Sequence, residues 1–233
     1  MRQLLRRAAS WAVSVAQALA VWFIATTFLV EPFRIWPTGS MKRTLLVNDF
    51  LFVNKLLYGA EVPFTHARTP PLREPAHGEI VVFKSIEEPG LRLVKRLVGL
   101  PGDTLAMEAG ALRRNGVVVP EPYAVHTGTS HHESSAVLAK IRAWQLSHYV
   151  GADREHYAPD VNHWGPVVVP RDSLFFLGDN RDESYDGRYY GFVPRENVLG
   201  HPFVVYFSFD DESWRPLPFM TAVRWNRLLT SPD

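Results

Sequence analysis

The sequence contains no cysteine. Disulfides, thiol nucleophiles and cysteine metal sites are excluded together. It also lacks an excess of charge of either sign, with 25 Lys+Arg against 24 Asp+Glu and a net of +1. That balance gives no electrostatic footprint for nucleic acid, so no nucleic-acid partner is expected. Internal repeats and low-complexity tracts are missing too, and only one long apolar run occurs. The 233 residues, 46% hydrophobic and 21% charged, suffice for one domain, or one domain with a small insert, around a sizeable core.

The one long apolar run is residues 11–30, WAVSVAQALAVWFIATTFLV, with sixteen apolar residues of twenty and no charge. As a helix it is roughly 30 Å long, the thickness of a bilayer core. Arg2, Arg6 and Arg7 precede it and Glu31 follows. Basic flanks stay in the cytoplasm, so the remainder is expected outside. A cleavable signal peptide is the competing reading, because Ala-Leu-Ala occurs at 18–20. The ten mostly apolar residues after that triplet make the run too long for an ordinary signal-peptide core. The expected organisation is a cytoplasmic basic tail over 1–10, a transmembrane helix over 11–30 and an extracytoplasmic β-rich domain over 31–233.

Runs rich in β-branched and aromatic residues predict strands at Asp49–Leu56, Glu79–Lys84, Leu91–Leu100, Ser173–Leu177 and Phe203–Phe209. Gly59–His77, with four prolines, reads as a loop. Asn115-Gly116 between strand-like flanks predicts a hairpin. An insert is expected at about 121–165. It carries six of the nine histidines, between His126 and His163, and Val137, Ile141 and Trp144 at helical spacing predict one helix over Glu133–Tyr149.

Strand alternation gives Lys95 an unusual setting. Leu91, Leu93, Lys95, Leu97 and Gly99 share one face, while Arg92, Val94, Arg96 and Val98 share the other, a mixed face that can meet water. An ammonium among leucines is costly, and desolvation lowers its pKa from about 10.4 toward the range of a base. A drop of about 3 units costs on the order of 4 kcal/mol, which burial can supply. Arginine cannot play this part, because guanidinium does not deprotonate. The alternative is that Lys95 snorkels to the sheet edge. Further on, Gly178–Pro194 (GDNRDESYDGRYYGFVP) follows an apolar strand and is dense in charge. Taken alone it reads as a solvated turn. Taken with the other segments it is a loop that presents a hydroxyl, Ser184, held by Asp186 and Arg188.

Three segments, PTGSM at 37–41, VKRLVGLPGD at 94–103 and the loop at 178–194, resemble in order and spacing the motif boxes of bacterial type I signal peptidases. The similarity runs from about Glu31 to Phe207 and fades over about 124–162. It implies a mainly β fold: an N-terminal transmembrane helix, then an all-β signal-peptidase-like catalytic domain with an inserted α/β cap segment. It also implies a Ser-Lys dyad with Ser40 as nucleophile and Lys95 as general base. By the same resemblance Thr38 and the Ser40 N–H form the oxyanion hole, and Ser184 hydrogen-bonds the lysine amine. Asp186 and Arg188 support that loop, and Asp179 lies in the same box. Met41, Leu51, Val82 and Val94 are expected to line two shallow pockets for small residues at −1 and −3. Strict alternation sets Val94 opposite Lys95, and a twist or bulge is the expected way to reconcile them.

Two departures stand out: Arg43 occupies a usual proline position, and Trp36 reads as an extra residue before Pro37. No cofactor is implied. A metal site among the histidines is disfavoured, since none shows tight ligand spacing. The implied activity is a serine endopeptidase of the bacterial cytoplasmic membrane that removes signal peptides from exported preproteins. Its implied partners are preprotein signal peptides, the lipid bilayer and the protein-export translocon. Two readings compete with it. A self-cleaving Ser-Lys protease of the phage-repressor type is cytosolic and carries a DNA-binding domain in place of an anchor. The other is a catalytically silent membrane-anchored binding protein derived from the peptidase.

Overall fold

The computed structural model describes residues 2–232 except Pro37, Phe64, His66 and 129–132. Helix α1 (Arg2–Ile24) continues through a π-helical turn (Ala25–Leu29) into β1 (Val30–Arg34). Strands β2 (Asp49–Asn54), β3 (Ile80–Lys84), β4 (Arg92–Gly99), β5 (Thr104–Glu108), β6 (Ala111–Arg114) and β7 (Val117–Val118) follow. Then come helix α2 (Ser135–Leu146), β8 (Trp164–Val168), β9 (Ser173–Leu177), the short helix α3 (Gly187–Tyr190), β10 (Val193–Pro194) and β11 (Val198–Ser208).

The stretch Trp11–Leu29 has a mean hydropathy of 1.8 and no residue of it is buried against the rest of the chain. The helix starts ahead of the apolar run, and Val30, expected to be its last residue, instead opens the sheet.

Seven strands form an antiparallel sheet in the order β1-β2-β11-β3-β4-β9-β10. Both faces of its centre are covered, and the sequence of β3, Ile-Val-Val-Phe, is apolar without alternation for that reason. Ile80 and Val82 join Ile35, Met41, Leu51, Val94 and Val205 in one cluster. Val81 and Phe83 join Leu97, Leu174 and Phe176 in another on the opposite face. Each such buried side chain contributes about 1.5–3 kcal/mol.

A second sheet runs β7-β6-β5-β8. Asn115 and Gly116 link β6 to β7 with φ of 53° and 82°. Both are left-handed, as a type I′ hairpin turn requires. A third apolar cluster, with Val98, Phe175 and Leu177 from the first sheet and Leu105, Met107, Leu112 and Trp164 from the second, joins the two. The segment expected as an insert therefore leaves one strand of this second sheet and returns to another. Its helix α2 is shorter than expected and is N-capped by Ser134, whose Oγ accepts from Val137 N–H. Trp144 of α2 packs on Phe175 and Phe192.

Several strands escaped the sequence pattern. β1, β5 and β8 are short and mixed in polarity. β11 begins at Val198 and not at Phe203, because Gly200 and Pro202 break the pattern inside it and coincide with register shifts.

Candidate active site

Ser40 sits in a turn directly after β1. Lys42 N–H bonds the Gly39 carbonyl at 2.9 Å, and Leu45 N–H bonds the Met41 carbonyl at 2.8 Å. Met41 and Leu45 are fully buried and anchor the turn to the core. Lys95 lies in the middle of β4, paired with Val81 of β3. Its Nζ donates a short hydrogen bond to Ser40 Oγ. Both side chains are almost completely buried. Burial pushes the Lys95 ammonium down from 10.5 to about 8, opposed by the Asp186 and Asp179 carboxylates and assisted by Arg188. Among these effects desolvation is the largest, so the site holds an amine that is partly neutral near physiological pH. Lys95 does not snorkel out.

Thr38 Oγ1 lies 3.5 Å from Ser40 Oγ, a long contact that brings the two hydroxyls side by side. Ser184 is buried next to both Ser40 and Gly178. A β-carbon on Gly178 would stand 2.2 Å from Ser184 Oγ and 2.6 Å from the Ser40 carbonyl oxygen. Ser184 Oγ itself has no hydrogen-bond partner among the described residues. The expected bond between Ser184 and the lysine amine is not formed; the amine is directed to Ser40.

The charged loop is not a solvated turn. Asp179, Asn180, Arg181, Asp186 and Arg188 are all buried. Asp186 Oδ1 receives the Arg188 Nε at 2.9 Å, and Asp186 Oδ2 receives the Gly178 N–H at 3.0 Å. Its carboxyl is held below the usual range: burial opposes that shift, but the Arg188 guanidinium beside it wins. Asp179 accepts both Arg96 Nε at 2.8 Å and Arg96 Nη2 at 2.7 Å. Thr44 Oγ1 adds a bond to it at 2.5 Å. Arg96 is thus buried, against the expectation that both arginines of β4 meet water; only Arg92 is exposed. A carboxylate from a distant loop lets the Arg96 charge be desolvated.

The four expected pocket residues, Met41, Leu51, Val82 and Val94, belong to one apolar cluster. Met41 and Val94 line a cleft of about 30 Å³ with Phe33, Ile35, Trp36, Thr38, Ser40 and Lys95. Leu51 and Val82 pack in the same cluster but do not line the cleft. The expected twist or bulge at Val94 does not occur, because β3 and β4 pair in unbroken register from Ile80–Arg96 to Lys84–Arg92. The conflict has another resolution. Pairing of β4 with β9 reaches only Arg96, so the strand edge from Arg92 to Lys95 forms a wall of the cleft. Residues from both faces border it. Phe33 and Ile35 were missed, and the β1 segment that carries them gives too short a pattern to reveal them.

Trp36 is exposed at the cleft, with the Arg34 guanidinium 4.9 Å over its ring. Arg43 is exposed and does not line the cleft. Among the described residues no group of three metal-ligating side chains converges. His131 and His132 lie outside the described residues. His156 and His163 each face a neighbouring carboxylate three residues away.

The signal peptidase, peptidase S26 family profile matches residues 8–207. This chain belongs to that family. Signal peptidase I of Pseudomonas aeruginosa is 36% identical over 219 residues, covering 88% of this chain and 74% of the relative. Signal peptidase I of Rickettsia akari is 30% identical, covering 92% and 90%. A probable signal peptidase I-2 of Synechocystis sp. is 33% identical, covering 89% and 79%. A crystal structure of a signal peptidase I from Enterococcus faecalis covers 55% of this chain and 97% of that one at 29% identity, with a TM-score of 0.36. Membership in the peptidase S26 family rests on the profile and the sequence relatives. The matched span contains all three motif segments and every residue of the candidate site.

Proposed function

We propose that the protein is a membrane-anchored serine endopeptidase that removes signal peptides from exported preproteins through a Ser40–Lys95 dyad. The observation that carries this is the buried contact of Lys95 Nζ with Ser40 Oγ, where burial depresses the amine pKa. Neutral Lys95 takes the Oγ proton while Oγ bonds to the scissile carbonyl carbon. The oxyanion is held by the Ser40 N–H and the Thr38 hydroxyl; losing one such donor costs about 10²–10³ in rate. The Lys95 ammonium then protonates the leaving amine as the C–N bond breaks, which releases the mature protein and leaves an acyl ester on Ser40. Water gives a proton to Lys95 and attacks the ester; as the bond to Ser40 Oγ breaks, Lys95 returns that proton to Oγ and the signal peptide leaves as a carboxylic acid.

Specificity for small residues at −1 and −3 is supported by a small cleft, of about 30 Å³, against Met41 and Val94. The exposed apolar helix Trp11–Leu29 supports a single span of the bacterial cytoplasmic membrane, with the basic N-terminus inside. Exposed Trp214, Phe219, Met220 and Trp225 offer further apolar surface for contact with the bilayer. Arg227 ties this C-terminal segment to Thr44 O and Asp49, four to nine residues after the nucleophile. Signal peptides held in the membrane, delivered by the export translocon, are the expected substrates.

Cleavage of a model preprotein in detergent tests the reading. Wild type should yield the mature fragment. Ser40→Ala and Lys95→Ala should stay folded and yield none; normal turnover by either variant overturns the dyad.

A further inference from the structure

Residues Asp179–Arg181 are sandwiched between two other stretches of backbone. On one side, Asn180 N–H bonds the carbonyl of Ser40 at 3.0 Å, and Asn180 Nδ2 bonds the Gly39 carbonyl at 3.2 Å. On the other side, Val125 N–H bonds the Asp179 carbonyl at 2.7 Å, and Arg181 N–H bonds the Val125 carbonyl at 2.9 Å. The chain from 121 to 125, the entry to the segment that read as a variable insert, is therefore one backbone away from the nucleophile.

Two side chains of this entry segment fasten the layer. Glu121 receives Arg181 Nη1 at 2.8 Å and Nη2 at 2.5 Å, a bidentate pair with both side chains buried. The Nε of Arg181 bonds the Gly178 carbonyl at 3.1 Å, so one guanidinium joins Glu121 to the backbone of the loop. Tyr123 lies under Arg96, whose guanidinium carbon is 4.0 Å from the ring centroid. Arg96 is the residue after Lys95 and is paired with Asp179. The same short segment thus touches the loop beside Ser40 through Glu121 and the strand carrying Lys95 through Tyr123.

We infer that Glu121 is a positioning residue for the reaction: through Arg181 it fixes the 178–181 backbone on which the Ser40 turn rests, and so sets the placement of Ser40 Oγ against Lys95. The inference rests on the dyad reading of Ser40. Glu121 does not line the cleft that borders Val94 and Met41. Its loss should therefore act on the chemical step and not on substrate binding.

The test uses the full chain in detergent with three variants, Glu121→Gln, Glu121→Asp and, as a control, Leu112→Ala in the core of the second sheet. Active sites are counted by saturating serine labelling with a fluorophosphonate, and the rate of that labelling is recorded separately. Glu121→Gln should lower kcat per labelled site about tenfold or more, with KM within about twofold of wild type. Its labelling rate should fall in parallel. Glu121→Asp, which keeps the charge one methylene short, should fall between the two, and it serves if the Gln variant does not fold. Leu112→Ala should lower the melting temperature and leave kcat per labelled site near wild type. Unchanged kcat in both Glu121 variants overturns the inference. So does an equal loss of kcat in Leu112→Ala at matched loss of melting temperature, because general destabilisation then explains the effect. The labelling rate needs no preprotein, so a wild type that labels but does not cleave refutes the proposed function without bearing on Glu121.

Discussion

A lysine in a core is destabilising unless its charge is relieved, and Lys95 carries that cost at the place where the proposed reaction needs a neutral amine. Its pKa of about 8 sets the expected pH dependence. The ammonium cannot accept a proton, so kcat/KM should rise with pH through an acidic limb centred near 8. A limb near the value of an ordinary carboxylate, or full activity in Lys95→Arg, removes Lys95 as the base. The same shift acts on stability. Folded Lys95 loses its proton at a lower pH than the unfolded chain, so the unfolded state binds more protons between about 8 and 10.5. Stability from this group rises with pH across that window, and the cost is fully present below it. The shift corresponds to roughly 3 kcal/mol. Lys95→Met should therefore raise stability at pH 7 by about 1–3 kcal/mol and abolish activity, as measured by denaturant unfolding and preprotein cleavage. Thr38 offers a second residue-level test. Thr38→Ser keeps the hydroxyl and should stay active, whereas Thr38→Val should lose about 10²–10³ in kcat with little change in KM. A Thr38→Val enzyme with wild-type kcat takes Thr38 out of the oxyanion hole.

At the scale of elements, the candidate site depends on how closely the loop after β9 approaches the Ser40 turn. Gly178 is the contact point, because any β-carbon there meets Ser184 Oγ and the Ser40 carbonyl. Gly178→Ala should force those groups apart and reduce kcat about 10²-fold or more while far-UV circular dichroism stays unchanged. Wild-type turnover in that variant contradicts the tight approach. Elements differed in how well the sequence revealed them. The β6–β7 hairpin was legible because Asn115-Gly116 encodes its own φ values. Helix α2 was legible from Val137, Ile141 and Trp144. Strands β5 and β8 were not, since each is half-buried only once the other pairs with it. Arg96 is the sharpest case. Alternation put it on a face that can meet water, but it is buried against Asp179 and Tyr123, neither of which is near it in the chain.

The whole molecule joins an exposed apolar helix directly to the edge of a sheet, with Ser40 following after β1. Val30 ends the helical part and starts the strand, so Ser40 follows soon after the end of the apolar helix. The topology that follows from Arg2, Arg6 and Arg7 predicts that protease added to intact spheroplasts reaches the domain after residue 31. Complete protection in such cells reverses the orientation.

The sequence by itself determined the features that depend on near neighbours: the apolar run, the tight hairpin, the apolar run Ile80–Phe83 of β3 and the resemblance of three short segments to one family. Alternation alone left Lys95 either among leucines or turned to the sheet edge, and the resemblance added the expectation that it is the base. Only the tertiary structure decided which charges are buried and by whom they are met. Asp179, which meets Arg96, and the Asp186 charge that acts on Lys95 come from the loop after β9, a strand that pairs with β4; Glu121 reaches Arg181 from the segment after β7. The reason is physical. Local backbone preference is written in a few adjacent side chains, whereas the cost of desolvating a charge is met only by a partner that the completed fold delivers.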